Sequence, residues 1–416
     1  MIRPWKKLPF GLKVKLRNFE SDCRRSLTRI LYHSLRIRHR DRKRVAVMIT
    51  DPRIFSLRSV IEDLKAKEGV ELACIFATFN HGNREERAED LSLTLSKSLE
   101  NSGFTVLWAG SKSGCDAALA FLKRADLIVT SQPYVFPDRR LNSWNFPAKV
   151  LYVPYTLWSN SRLDLKDGEG ISRCSGSAML ETTWHVLDFE ARCPNSRLKG
   201  MHSGFPRLFE LSLLDFRADS EEDTFRNISW SPHWSSLRSE DSAHVVSSFA
   251  VAIQDFLVAD PSRTLVFRPH PLFDEYLSKF DFNRGTDRAI QALLSLENAE
   301  RGDHISVEDF FQWTDVLIHN CGSFTSEFAI TGKPVIFTKV PDDFIFENLS
   351  DFGSAVVQGN YTVESGTELL EILRSLADGL DLKLPLRQKV QELIRESIAI
   401  NPHEIIAKEA LRLLHA

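Results

Sequence analysis

The stretch DVLIHNCGSFTSEFAITGKPVIF, residues 315–337, decides the fold. Val316–Ile318 is a short apolar run, bounded by polar residues, and predicts a buried strand. It runs into Asn320, Cys321, Gly322 and Ser323. Gly322 suits a tight turn, and Ser323 is a good N-cap for a helix over Phe324–Ile330 that stops at Gly332. Pro334 opens a second apolar run, Val335–Phe337. Strand, turn, helix and strand in this order make a βαβ unit of a parallel sheet. The free amides at the helix start, with the Ser323 and Thr325 hydroxyls, predict an anion site whose natural ligand is phosphate. Glu327, one turn further on, is placed to accept hydrogen bonds from ribose. The plain alternative is an ordinary capped helix with Glu327 in solvent.

The same alternation extends in both directions. Upstream, Val45–Thr50, Val70–Thr78, Phe104–Trp108, Leu127–Thr130 and Val150–Pro154 read as strands. Helical spacing over Leu57–Ala66, Glu86–Asn101 and Cys115–Arg124 separates them. Residues 158–182 are polar and glycine-containing and read as a long loop. Thr183–Leu187 reads as a further strand. Beyond it, Ile228–Trp230 and Thr264–Phe267 are strands, with helices over Ala243–Phe256 and Val307–Trp313. Three helices, near 366–377, 385–398 and 402–415, close the chain. The expected architecture is α/β, two Rossmann-like domains facing a cleft. A basic amphipathic extension covers 1–44, an N-terminal Rossmann-like domain 45–200, and a C-terminal Rossmann-like domain with the closing helices 201–416.

Three further segments carry chemistry. Thr264–Phe267 ends in Arg268, Pro269, His270 and Pro271. The prolines stop the sheet, so His270 projects from the C-terminal edge, where open α/β sheets bind ligands. Arg268 beside it is a bidentate donor suited to a pyrophosphate. Ile228–Trp230 ends in Ser231, Pro232, His233 and Trp234, again at a strand end, and a histidine's pKa near ~6.5 suits proton transfer. Gly204, Phe205 and Pro206 set a turn that presents Arg207. A structural histidine, a core tryptophan and a surface turn are the bland alternatives for these.

Composition bounds the function. The 416 residues are 43% hydrophobic and 26% charged, an ordinary globular balance. No stretch approaches the ~20 consecutive apolar residues of a membrane span, and no signal core opens the chain, so a cytoplasmic protein is expected. Six scattered cysteines without a CxxC pair argue against a disulfide framework or a zinc site. Residues 1–44 hold 15 Lys and Arg against 3 Asp and Glu, a balance of +12 that leaves −15 on the rest of a chain of net charge −3. Leu12, Leu16, Phe19, Cys23, Leu27, Ile30 and Leu31 form an apolar stripe in that head. Two readings stay open: a helix packed on its own domain, or an interfacial helix on anionic lipid at the inner face of the membrane. No aromatic-and-glycine motif favours nucleic acid.

Taken together and in order, the segments Gly204–Arg207, Ser231–Trp234, Arg268–Pro271 and Thr314–Glu327 with Gly332–Val335 resemble the CDP-glycerol glycerophosphotransferase family of teichoic acid polymerases and primases. The resemblance covers about 200–340, with order-of-elements agreement from residue 45. It implies a GT-B-like fold and transfer of glycerol phosphate, or a related polyol phosphate, from a CDP-linked donor whose pyrophosphate lies near His270 and Ser323. The chain departs from the family twice. Asn320 and Gly322 stand where the family's S-D-x-S-S element has its aspartate and first serine. The family's W-H-G-T-P element, which supplies a histidine regarded as the base, is absent; Val153–Trp158 stands there, with Tyr155 and Thr156 as its polar groups.

The expected reaction is attack of an acceptor hydroxyl on the β-phosphate, releasing CMP. Arg207, Arg268, Gly322, Ser323, Thr325, Glu327 and Lys333 bind the donor. His233 and His270 are the catalytic candidates, and Tyr155 and Thr156 lie on the acceptor side. No acidic metal cluster is visible, so a metal-independent site with no cofactor beyond the donor is expected. The partners expected are a nucleotide-activated donor, a lipid-linked or glycan acceptor and an anionic membrane surface. The alternatives are a GT-B glycosyltransferase using a nucleotide-sugar in capsule or cell-surface polysaccharide synthesis, and a nucleotide-binding scaffold whose N-domain is inactive.

Overall fold

The computed structural model describes residues 42–52, 55–77, 85–133, 136, 138–160, 165, 167–214, 216, 225–341 and 343–416. The amphipathic head expected over residues 1–44 therefore lies, up to residue 41, outside the described residues. Lys43 and Arg44 belong instead to the first strand.

Among the described residues the chain forms two parallel sheets. The first holds β1 (Lys43–Ile49), β2 (Val70–Phe76), β3 (Thr105–Trp108), β4 (Leu127–Thr130), β5 (Lys149–Tyr152), β6 (Gly176–Leu180) and β7 (Leu198–His202), in the order β3-β2-β1-β4-β5-β6-β7. The second holds β8 (Asn227–Ser231), β9 (Thr264–Phe267), β10 (Ala299–Arg301), β11 (Val316–His319), β12 (Val335–Thr338) and β13 (Tyr361–Val363), in the order β10-β9-β8-β11-β12-β13. Every pairing in both sheets is parallel, so the strand ends of each sheet share one edge.

The strands are near-continuous apolar runs because both faces of each sheet are covered. In β1, Val45, Val47 and Ile49 face one core while Ala46 and Met48 face another. The second sheet packs Ile228, Trp230, Val316, Ile318 and Ile336 against the helix Glu240–Ala259. That helix has the length and mean hydropathy, 1.4, of a membrane span, contrary to expectation. Its Val246, Phe249, Ile253, Phe256 and Leu257 are buried in this core, which accounts for its apolar composition.

The domain boundaries differ from those expected. One unit takes in the chain up to Tyr155, residues 162–206 and Ile400–Ala416; the other takes in Thr156–Ser161 and Arg207–Ala399. The helix Pro402–His415 returns to the first unit because Ile406, Ala410, Leu413 and Leu414 complete the core around Val45, Val47 and Leu151. Polar ties fix it there: Glu409 accepts from Ser177, and Lys149 Nζ donates to the Leu413 carbonyl at 3.0 Å.

Two local readings are corrected. The segment read as a loop over 158–182 contains β6. Gly176 hides it, since a Cβ there would lie 1.9 Å from the Val150 carbonyl oxygen on β5. Thr183–Leu187 is not a strand but the start of the helix Thr183–Arg192. Thr182 is its N-cap, the hydroxyl accepting from His185 N at 3.3 Å.

Candidate functional site

Three of the segments singled out in the sequence meet at the C-terminal edge of the second sheet. β8, β9 and β11 are adjacent there, and their continuations tie to one another. Arg268 N donates to the Trp230 carbonyl at 2.9 Å, and His270 N to the Pro232 carbonyl at 3.0 Å. Ser231 Oγ donates to the Arg268 carbonyl at 2.5 Å. His319, the last residue of β11, hydrogen-bonds through Nδ1 to the Ser231 carbonyl. The prolines account for this convergence: Pro232 and Pro269 end the ladder while leaving their carbonyls and the next amides for cross-links. The outcome is a His233–His270 ring pair with centroids 4.6 Å apart and edge-on geometry. His270 and Ser323 each follow a strand of the same sheet at the same edge.

The hydrogen bonds assign the protons. His270 Nδ1 accepts from the Leu272 amide at 3.0 Å, which leaves the ring proton on Nε2. His233 Nδ1 accepts from the Ser235 amide at 3.3 Å and lies 2.7 Å from its hydroxyl, with the same consequence. His319 is reversed, its proton on Nδ1 and its buried Nε2 without a hydrogen-bond partner. Burial pushes the His233 pKa well below the ordinary histidine value, and His270 and His319 push it the same way. Burial also takes His319 down to about 4, against the opposing hydrogen bond to the Ser231 carbonyl. The expectation that His233 titrates near its ordinary value is thus corrected: it is a neutral N–H donor. Arg268 lies over the rings of Phe310 and Phe324, its guanidinium 5.2 and 5.8 Å from their centroids, so the planar fork is held by stacking.

The helix after β11 differs in detail from expectation. It spans Gly322–Phe328, with Cys321 as a cap that makes no side-chain bond, so Ser323 is not the N-cap but sits inside the first turn. Thr325 is buried and turns its hydroxyl back to the Cys321 carbonyl at 2.9 Å, away from any ligand at the helix start. Gly322 serves close approach: a Cβ there would come within 2.6 Å of Ser159 Cβ. The α-helix ends at Phe328, and a 3-10 turn over Ala329–Thr331 carries the chain to the expected stop at Gly332, with φ 71°.

Glu327, read as a ribose acceptor, is 2% exposed and already engaged. Its Oε1 accepts from the Thr156 hydroxyl at 2.9 Å and faces the Leu157 amide at 3.5 Å. Arg207 Nε lies 3.5 Å from Oε2. Residues 156–160 are laid on this helix and its neighbours. Ser159 Oγ is 2.5 Å from Ser326 Oγ, and the Ser159 carbonyl accepts from Ser350 N at 2.8 Å and Ser350 Oγ at 2.9 Å. Asn160 Nδ2 donates to the Ile345 carbonyl at 2.6 Å. Thr156, assigned in the sequence to the acceptor side with Tyr155, therefore belongs to the Glu327 cluster. Half-buried Tyr155 falls in the first unit.

Lys333 is corrected outright. It precedes β12, on the N-terminal edge, opposite the histidines. Its Nζ donates to the carbonyls of Gln312 and Thr314 at 2.9 and 2.8 Å, capping the end of the helix Val307–Trp313. Two residues that the sequence left unassigned belong to the cluster. One is His319, recognisable only as a histidine closing an apolar strand. The other is Asn320, 2% exposed, which accepts from His233 N at 2.7 Å and donates to Ser236 Oγ.

No protein-family model matches the chain, and no curated protein does. Solved structures do. The wall teichoic acid polymerase TagF soaked with CDPG superposes with a TM-score of 0.52 at 14% identity, over 96% of this chain and 98% of that one. MnaA of S. aureus with UDP gives 0.53 at 12%, over 88% and 94%. The UDP-GlcNAc 2-epimerase of Neisseria meningitidis bound to UDP-GlcNAc gives 0.53 at 13%, over 90% and 98%. The likeness is one of fold: this chain consists of two Rossmann-like α/β domains of the GT-B-like kind.

Proposed function

We propose that the chain transfers glycerol phosphate, or a related polyol phosphate, from a CDP-linked donor to a cell-surface glycan or lipid-linked acceptor. The observation that carries the reading is the meeting of Arg268, His233 and His270 at one strand edge, with both ring protons fixed on Nε2. In the reaction an acceptor oxygen bonds to the β-phosphorus and the bond to the bridging oxygen breaks. CMP leaves with that oxygen, and the acceptor's proton passes to water. Negative charge grows on the departing phosphate. Arg268 and two neutral imidazole N–H donors, held in place before the reaction, stabilise it. The likeness to TagF with CDPG and to MnaA with UDP supports a nucleotide-activated donor, and the four motifs in family order favour a CDP-linked one. The basic segment ahead of β1 would hold the enzyme on the anionic inner face of the membrane, where a lipid-linked acceptor lies. Deleting residues 1–41 should then abolish salt-sensitive co-sedimentation with anionic vesicles.

The test is product analysis with CDP-glycerol, CDP-ribitol and UDP-GlcNAc in the presence of envelope acceptors. CMP release from a CDP-polyol supports the proposal. UDP release from the nucleotide-sugar moves the reading to glycosyl transfer. No nucleotide product from any donor leaves a binding scaffold and sinks the enzyme reading.

A further inference from the structure

Asn320 joins the end of β11 to the turn that carries His233. Its Oδ1 accepts from the His233 amide at 2.7 Å, and its Nδ2 donates to Ser236 Oγ. Between those two anchors lies Ser235, whose amide and hydroxyl both meet His233 Nδ1, at 3.3 and 2.7 Å. The turn is thus gripped at both ends, and its middle fixes the imidazole. Asn320 is 2% exposed and His233 8% exposed, so water does not substitute for these bonds. An amide is the side chain that supplies one acceptor and one donor without charge.

We propose that Asn320 is a positioning residue: it holds the His233 turn so that the ring stays neutral and offers Nε2–H to the ligand. The proposal deepens the donor-binding reading of this site. The argument for asparagine over aspartate is electrostatic. The groups facing His233 are His270, 4.6 Å away after β9, and His319 at the end of β11, with Arg268 acting on His319 in turn. These groups are neutral or cationic, so nothing among them favours an imidazolium. A carboxylate at position 320, bonded to the His233 amide itself, would. It would raise the pH at which the His233 ring takes up a proton, and the pH dependence of ligand binding would move with it.

Asn320→Asp keeps both contacts, since a carboxylate accepts from the His233 amide and from the Ser236 hydroxyl, so folding is retained. Histidine-selective isotope-labelled NMR, with His233 assigned through His233→Gln, reads the ring directly. In the wild type the His233 signals should stay those of the Nε2–H tautomer from pH 8 to pH 5. In Asn320→Asp the onset of His233 titration should move up by at least ~1 pH unit relative to the wild type, the shift an opposite charge at close range produces. The pH profile of CDP affinity, measured by calorimetry, should differ between Asn320→Asp and the wild type beyond the titration of the CDP phosphate that both share. Asn320→Ala, which releases both anchors, should lose the fixed tautomer. A purely structural Asn320 would lower stability without moving the titration. Identical His233 spectra in the wild type and both variants overturn the proposal. If CDP does not bind the wild type, the donor reading falls, while the histidine spectra still decide what Asn320 does.

Discussion

Replacing Glu327 with alanine separates two roles that the sequence does not distinguish, a ribose ligand and an internal anchor. The carboxylate takes the Thr156 hydroxyl at 2.9 Å and faces Arg207 Nε at 3.5 Å, with only 2% of the residue exposed. A hydrogen bond to a charged acceptor contributes ~1.5–3 kcal/mol, and Thr156 would be left with a buried, unsatisfied hydroxyl. Arg207 keeps some solvent access, its side chain 17% exposed, so losing its partner costs less than the ~3–5 kcal/mol of a fully buried pair. Together these give about 3–5 kcal/mol for Glu327→Ala, a large part of the ~5–15 kcal/mol that holds a domain folded. Glu327→Gln keeps an acceptor for Thr156 and should lose about 1–2 kcal/mol. The assay is chemical denaturation of the full chain alongside CDP titration at a temperature where each variant is folded. A Glu327→Ala protein of wild-type stability but weakened CDP binding would refute the anchor and restore the ribose role.

Arg268→Ala should weaken CDP binding by ~1.5–3 kcal/mol, roughly ten- to hundredfold. Lys333→Ala should leave CDP affinity unchanged and lower stability by about 1 kcal/mol, its bonds to carbonyls being lost; calorimetry that reverses this order contradicts the assignment of the two residues. Gly353→Ala should destabilise by ~1–3 kcal/mol or more, as overpacking does, because its Cβ would sit 1.9 Å from the Ser159 carbonyl oxygen. An unchanged denaturation midpoint there would mean that residues 156–160 are not seated as described. Acid should destabilise the second unit through its depressed histidines. The unfolded chain takes up protons below ~6.5, whereas folded His319 resists until about 4. The contribution is thus fully present above the unfolded value and lost as pH falls between the two, on the order of 3 kcal/mol for His319 alone. Denaturant midpoints at pH 7.5 and 4.5 measure it, and His319→Gln should flatten the difference.

How much was legible follows from the range of each interaction. The apolar runs ending at Ile49, Thr130, Phe267, Ile318 and Phe337 are local signals, and each is a strand. The Pro-flanked His233 and His270 were placed at strand ends, and parallel pairing brings those ends together without further information. Lys333 shows the limit. It stands ten residues after Ser323 in the same strand–helix–strand unit, but it precedes β12 rather than following β11, so topology puts it on the wrong edge. The Thr156–Glu327 bond joins residues 171 apart and leaves no trace in local spacing. β6 carries no local strand signal at its start, because its first residue is a glycine required by the approach of β5. The amphipathic pattern of 402–415 shows that a helix forms, not which core receives it.

The return of that last helix has a consequence for how the molecule is made. Ser177 and Glu409 are 232 residues apart, and the apolar face lined by Val45, Val47 and Leu151 waits for Ile406, Leu413 and Leu414. During vectorial synthesis the second unit is complete in the emerging chain before the first has its final layer. The nascent first unit therefore presents a greasy sheet face, covered only in part by Val60, Ile61 and Leu64, throughout translation of residues 207–399. Contacts of such long sequence separation form slowly, and exposed apolar surface of that lifetime is what holdase chaperones bind.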